Sequence, residues 1–135
     1  MPADGFTLEC GMARYPGLLL RVLADDDPAM GPGKARLVAL IDATGSITAA
    51  AREMGMSYRR AWQLVEALNS SFTQPVIVTA VGGKRGGGAV VTVFGRELVD
   101  AYRKMEEKAA SAIASDLRRF ERRLRKPGAS RSRSA

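Results

Sequence analysis

Across residues 47–68 the apolar positions keep helical time twice. Ile47, Ala50, Ala51 and Met54 recur at i, i+3, i+4 and i+7, one stripe on a short helix. Gly55, which has the backbone freedom to leave a helix, breaks the run, and Met56 plugs the turn. Ser57 is placed to cap a second helix, whose stripe is Ala61, Leu64, Val65 and Leu68 at the same spacing. Two short amphipathic helices around a glycine turn predict a helix-turn-helix. Upstream, Leu37, Val38, Leu40 and Ile41 predict a helix over 34–44 that ends at Gly45 and backs the other two.

After Asn69, Ser70 and Ser71 the period changes from helical to extended. Two β-rich runs, VIVTAVG after Pro75 and AVVTV, flank the glycine-rich loop GGKRGGG, which predicts a β-hairpin with a cationic tip at Lys84 and Arg85. The loop is no phosphate-binding P-loop: Lys84 precedes the later glycines, and a strand rather than a helix follows. Thr92 sits where an N-cap belongs, and 94–125 contains no proline and reads as one long helix. About 32 residues would extend roughly 48 Å, more than a small body needs. Its stripe, Leu98, Tyr102, Met105, Ala109, Ile113, Leu117, Phe120 and Leu124, is most simply covered by the same helix of a second copy, the alternative being a fold-back onto its own body.

The flanks are less regular. Residues 1–16 carry Pro2, Gly5, Gly11 and Pro16 and read as a loosely ordered arm. Residues 17–23, GLLLRVL, suit a strand, although a helical turn fits the same pattern. Asp25, Asp26 and Asp27, followed by Pro28, Gly31, Pro32 and Gly33, read as a polar turn; no returning Glu completes a cation loop. Residues 126–135 form a basic tail without a packing pattern.

The chain of 135 residues is one domain's worth. Its single cysteine, Cys10, and its lack of histidine exclude an internal disulfide and a Cys/His metal site, and no nucleophile stands near a base, so neither an enzyme nor a cofactor is expected. No run is long and apolar enough for a membrane span and no leader pattern opens the chain, so a cytoplasmic protein is expected. The net charge of +7 is unevenly placed: from residue 116 onward there are eight basic and two acidic residues, leaving a nearly neutral body. Such a tail suits an anionic polymer or a membrane surface, and equally a solvated terminus.

The chemistry on offer is recognition. On a wheel of about 100° per residue, Arg59, Trp62, Gln63 and Glu66 lie opposite the Ala61/Leu64/Leu68 stripe, flanked by Tyr58 and Arg60. Arg grips guanine and Gln grips adenine by paired hydrogen bonds, which makes Arg59 and Gln63 the candidate base readers. Trp62 suits packing and DNA contact equally. A cationic hairpin beside this helix suits a wing on the sugar-phosphate backbone.

Three stretches, ATGSITAAAREMGMSYRRAWQLVEALN, GGKRGGGAVVT and the Thr92-x-x-Gly95 start of the long helix, together resemble the N-terminal winged helix-turn-helix domain of ModE-type molybdate-responsive transcription regulators, within the LysR-type DNA-binding group. The resemblance implies a fold that is mainly α with a small β-hairpin, a winged helix-turn-helix body over 17–93 followed by a dimerisation helix over 94–125. It implies a homodimer on a pseudo-palindromic operator in double-stranded DNA, controlling molybdate transport or other molybdenum-related genes. Ser57, Tyr58, Arg59, Arg60 and Gln63 then belong to the recognition helix, Ser46 and Thr48 to the supporting helix, and Lys84 and Arg85 to the wing. Molybdate-sensing members continue into oxyanion-binding domains that nothing in this sequence matches, so molybdate binding by this chain is not expected. The alternative is a non-specific or architectural nucleic-acid binder that relies on Lys84, Arg85 and the tail.

Overall fold

The computed structural model describes residues 17–80 and 88–125, which build two antiparallel hairpins and five helices. The first hairpin pairs β1 (Val22–Ala24) with β2 (Asp27–Met30), in the register Val22↔Met30, Leu23↔Pro28 and Ala24↔Asp27 with an irregularity after Val22. Sequence patterning predicts only one hairpin, so this second one is a correction. Asp27 and Pro28 are poor strand formers, but Pro28 lacks only a donor and an edge strand tolerates that. Ala29 and Met30 are buried, and it is their burial that holds β2 to the body.

Helix α1 (Pro32–Thr44) starts at Pro32 rather than at 34, because proline needs no hydrogen bond at the first helical position. Helices α2 (Ile47–Met54) and α3 (Tyr58–Ser71) follow, joined by a turn in which Gly55 takes φ 70° and donates its N–H to the Arg52 carbonyl. That left-handed conformation is the one the sequence requires of Gly55. Helix α1 lies at the centre, touching α2, α3, both hairpins and the last long helix. Leu37, Val38 and Ile41 of α1 meet Ile47, Ala50, Ala51 and Met54 of α2 and Ala61, Val65 and Leu68 of α3 in one buried cluster. Each of the larger aliphatics there contributes about 1.5–3 kcal/mol by leaving water.

The second hairpin, β3 (Ile77–Thr79) with β4 (Ala89–Val91), pairs Ile77↔Val91, Val78↔Val90 and Thr79↔Ala89. Val76, Ile77, Ala89 and Val91 face the core, while Val78 and Val90 face outward. The chain then enters α4 (Val93–Ala112), capped by Thr92, whose hydroxyl accepts from Gly95 N at 2.8 Å and donates to Pro75 O at 2.8 Å.

The long helix is not continuous. It breaks at Ile113, with φ −104° and ψ 8°, and resumes as α5 (Ala114–Glu121). A β-branched residue adopts that backbone without proline or glycine, so the apolar period carries no mark of the break. Helix α4 is fastened to α1 by Arg96, which forks onto the Asp42 carboxylate at 3.1–3.3 Å on the exposed side. Tyr102 is buried, and its hydroxyl donates to Leu20 O at 2.7 Å, bringing the segment before β1 onto α4. Burial first, and then the neighbouring Glu106 carboxylate, push the Tyr102 pKa up, so the phenol keeps its proton. Tyr102→Phe should lower stability by about 1 kcal/mol in urea titrations, since it deletes one long-range hydrogen bond and leaves the ring in place.

Candidate nucleic-acid interface

Two serines set the geometry of the helix pair. Ser46 Oγ accepts from Ala49 N at 3.0 Å to start α2, and Ser57 Oγ accepts from Arg60 N at 3.0 Å to start α3. Each satisfies a donor that the first turn of a helix leaves without a partner. Ser57 and the three residues after it, Tyr58, Arg59 and Arg60, are exposed, as are Gln63 and Thr48; Ser46 is half-buried. The first turn of α3 contains no acidic residue and presents two guanidiniums and a phenol; the amide of Gln63 and the exposed carboxylate of Glu66 follow in the next turns. Trp62, placed by the wheel opposite the stripe, is half-buried against the core. A wheel assumes one covered side, whereas α3 is flanked by α1, α2 and β2.

The hairpin β3–β4 is tied to this helix pair at both strands. The Asn69 side chain of α3 behaves as an extra strand residue: its Oδ1 accepts from Val76 N at 2.8 Å and Ile77 N at 3.1 Å, and its Nδ2 donates to Ile77 O at 2.9 Å. On the other edge, Ala89 N donates to Gly45 O at 3.0 Å, at the corner between α1 and α2. The hairpin therefore stands in a set position beside α3. Asn69 and Gly45 hold the hairpin although neither is a candidate site residue in the sequence. In sequence each reads only as the end of a helix, and nothing there signals that its polar groups reach a strand. The tip cations Lys84 and Arg85 lie outside the described residues.

Along the arm formed by α4 and α5, the expected stripe divides. Tyr102 is enclosed by its own chain, Leu98 packs against the core, and a Cβ at Gly17 would meet Leu117 Cδ2 at 3.3 Å, so Leu117 lies against the N-terminal segment. Ala109 and Ile113 are half-buried. Met105, Phe120 and Leu124 stay 44, 64 and 59 % exposed. Glu106 is buried on α4 and pairs with Arg103 at 3.5 Å. Beside Phe120, a groove of about 390 Å³ is lined by Asp116, Arg119, Arg122 and Arg123.

Among the described residues, no group of three or more acidic, Cys or His side chains is placed to hold a metal ion, and no helix is long and apolar enough to cross a membrane. No family model matches the chain. Individual proteins do. The molybdenum-pterin-binding protein MopB of Rhodobacter capsulatus is 46 % identical over 94 residues, 70 % of this chain and 35 % of that protein. The molybdenum transport protein ModE of Azotobacter vinelandii is 35 % identical over 97 residues, and the DNA-binding transcriptional dual regulator ModE of Escherichia coli is 33 % identical over 88.

The chain carries a ModE-type domain. It spans about a third of the length of these relatives, 34–36 % in each case. The ModE-type domain accommodates the Thr92-x-x-Gly95 signature for two separate reasons. Thr92 caps α4 and braces Pro75, and Gly95 admits the Val76 carbonyl against the helix.

Proposed function

We propose that this chain is a sequence-specific DNA-binding transcription regulator of the ModE type, in which α2 and α3 form a helix-turn-helix and β3–β4 is its wing. The observation that carries this reading is the Asn69 bridge, which ties the root of β3 to the helix whose first turns are polar and exposed, while the sequence puts Lys84 and Arg85 in the loop between β3 and β4. Arg59 and Gln63 read base edges, Tyr58 and Arg60 flank them, and Ser57, Ser46 and Thr48 meet the backbone where the two helices begin. Lys84 and Arg85 touch the sugar-phosphate chain as the wing tip. A second copy joins through the exposed part of the α4–α5 arm, with Met105, Phe120 and Leu124 covered in the dimer together with Ala109 and Ile113. Leu98, Tyr102 and Leu117, on the same stripe, serve the chain's own packing first. Two relatives are a molybdenum transport protein and a transcriptional dual regulator, which makes molybdenum-handling genes the proposed targets.

Selection of duplexes from a random-sequence pool tests the reading. Enrichment of one motif, present as two inverted half-sites about one helical turn apart, is the expected result. Equal affinity for selected and scrambled duplexes at physiological salt would sink the specific reading. Arg59→Ala should cost ~1–3 kcal/mol on the selected duplex and relax the preference at one base position. An unchanged preference would mean that α3 meets DNA by another face.

The exposed arginines of the arm, Arg118, Arg119, Arg122, Arg123 and Arg125, favour a second reading as a non-specific nucleic-acid binder. That reading expects replacement of these five arginines by glutamine to abolish most binding, whereas the specific reading expects sequence preference to survive it.

A further inference from the structure

The DNA-binding reading gives no role to Glu66, although the face it assigns to the bases includes that residue. Arg59, Gln63, Glu66 and Ser70 of α3 are exposed and recur at i, i+4, i+7 and i+11. At about 100° per residue they share a sector of about 60°, and the buried Ala61, Val65 and Leu68 fall on the opposite side. The Glu66 carboxylate therefore stands on the face that α3 turns away from its own core.

Among the described residues nothing pairs with that charge. Glu66 is the single acidic residue of α3. The positions three and four away, Trp62, Gln63, Asn69 and Ser70, supply no cation for an ion pair along the helix. Glu66 is the ninth of 14 residues, well past the first turn, where the helix dipole favours a carboxylate. The Ser70 hydroxyl donates to Glu66 at 2.8 Å, but to its backbone carbonyl, which any residue would offer.

On a face that meets DNA, the charge has a cost and a use. Phosphates repel it, so it lowers affinity for every duplex. An ionised carboxylate accepts hydrogen bonds and donates none, so only an amino group on a base edge offsets that repulsion. In the major groove two bases present one, cytosine at N4 and adenine at N6. Adenine sets the N7 lone pair beside its amino group, where it repels the second carboxylate oxygen. Cytosine has a C–H there and is the better partner.

We propose that Glu66 is a specificity-determining residue, which accepts from the N4 amino group of a cytosine in each half-site and disfavours duplexes that lack it. The proposal rests on the DNA-binding reading and adds to Arg59 and Gln63 a third base reader, one that works by exclusion. Glu66 stands about 10 Å along α3 from Arg59, some three base-pair steps of about 3.4 Å, so the two report on different base pairs.

The test uses the full chain, the duplex that wild type selects from a random pool, and a scrambled duplex. Glu66→Ala should bind the scrambled duplex about fivefold more tightly, the effect of removing one like-charge contact in water. Selection with this variant should lose the preference for cytosine at one base pair, a discrimination of about tenfold. Glu66→Gln should change the preferred base there from cytosine to adenine, because an amide bonds N6 and N7 together. N4-methylcytosine at that position should weaken wild type and leave Glu66→Ala unchanged. One motif selected alike by wild type and both variants, or a preference lost at a base other than cytosine, overturns the proposal. An equal response of wild type and Glu66→Ala to the methylated base does the same. Wild-type protein that does not distinguish the selected from the scrambled duplex overturns the regulator reading instead.

Discussion

Asn69→Leu should cost about 3 kcal/mol or more, measured as a shift of the urea midpoint at fixed chain concentration. Leucine fits the volume but leaves Val76 N, Ile77 N and Ile77 O without the partner that Asn69 supplies to all three. Each orphaned group in a partly buried setting costs about 1–3 kcal/mol, and the three orphans lie at the root of one hairpin. A domain of this size has only about 5–15 kcal/mol of net stability, so the loss is a large share. Asn69→Asp retains the acceptor and loses the donor, and should fall between wild type and Asn69→Leu. If Asn69→Leu melted like wild type, the hairpin would be held by its apolar face alone, and its stance beside α3 would have a different cause.

Gly95→Ala should destabilise, where helix propensity alone predicts a gain of up to about 1 kcal/mol. A Cβ at this position would stand 2.6 Å from Val76 O and 3.0 Å from a methyl of Val76 and of Val91. The nearest atom is backbone and is already fastened, since Val76 O accepts from Thr92 N at 2.9 Å and from the Thr92 hydroxyl at 3.2 Å. Helix α4 or the hairpin must move, and overpacking of this kind costs about 1–3 kcal/mol. Gly95→Val should cost more. The sign decides: an alanine variant that unfolds at higher urea would mean that α4 can shift outward freely, and that its contact with the hairpin is loose.

These two sites also mark how far the residues alone could be read. The helix pair, its caps at Ser46 and Ser57, the turn at Gly55, the cap at Thr92 and the hairpin after Pro75 were all legible, because each depends on neighbours within a few positions. The continuity of the long helix was expected and fails at Ile113, where a single residue departs without a breaker. The β1–β2 hairpin was hidden by Asp27 and Pro28, whose local preference is outweighed by burial of Ala29 and Met30. Trp62 shows the same limit from the other side. Expected opposite the stripe, it is half-buried against the core, because at about 100° per residue it stands only about 60° from Val65 and α3 is covered on more than one flank.

By itself the chain's order of apolar and polar residues determined the three helices of the body, the polar first turns of the third, and the strands that follow Pro75. Local sterics and the 3.6-residue period act over a single turn, and both are written in consecutive residues. Only the tertiary structure decided that Asn69 ties β3 to α3, that Gly95 meets Val76, and that Tyr102 holds Leu20 across 82 positions. Such contacts join residues far apart in the chain, where a polar group must find a partner once water is excluded. Which partner it finds depends on how the elements pack, and no periodicity records that.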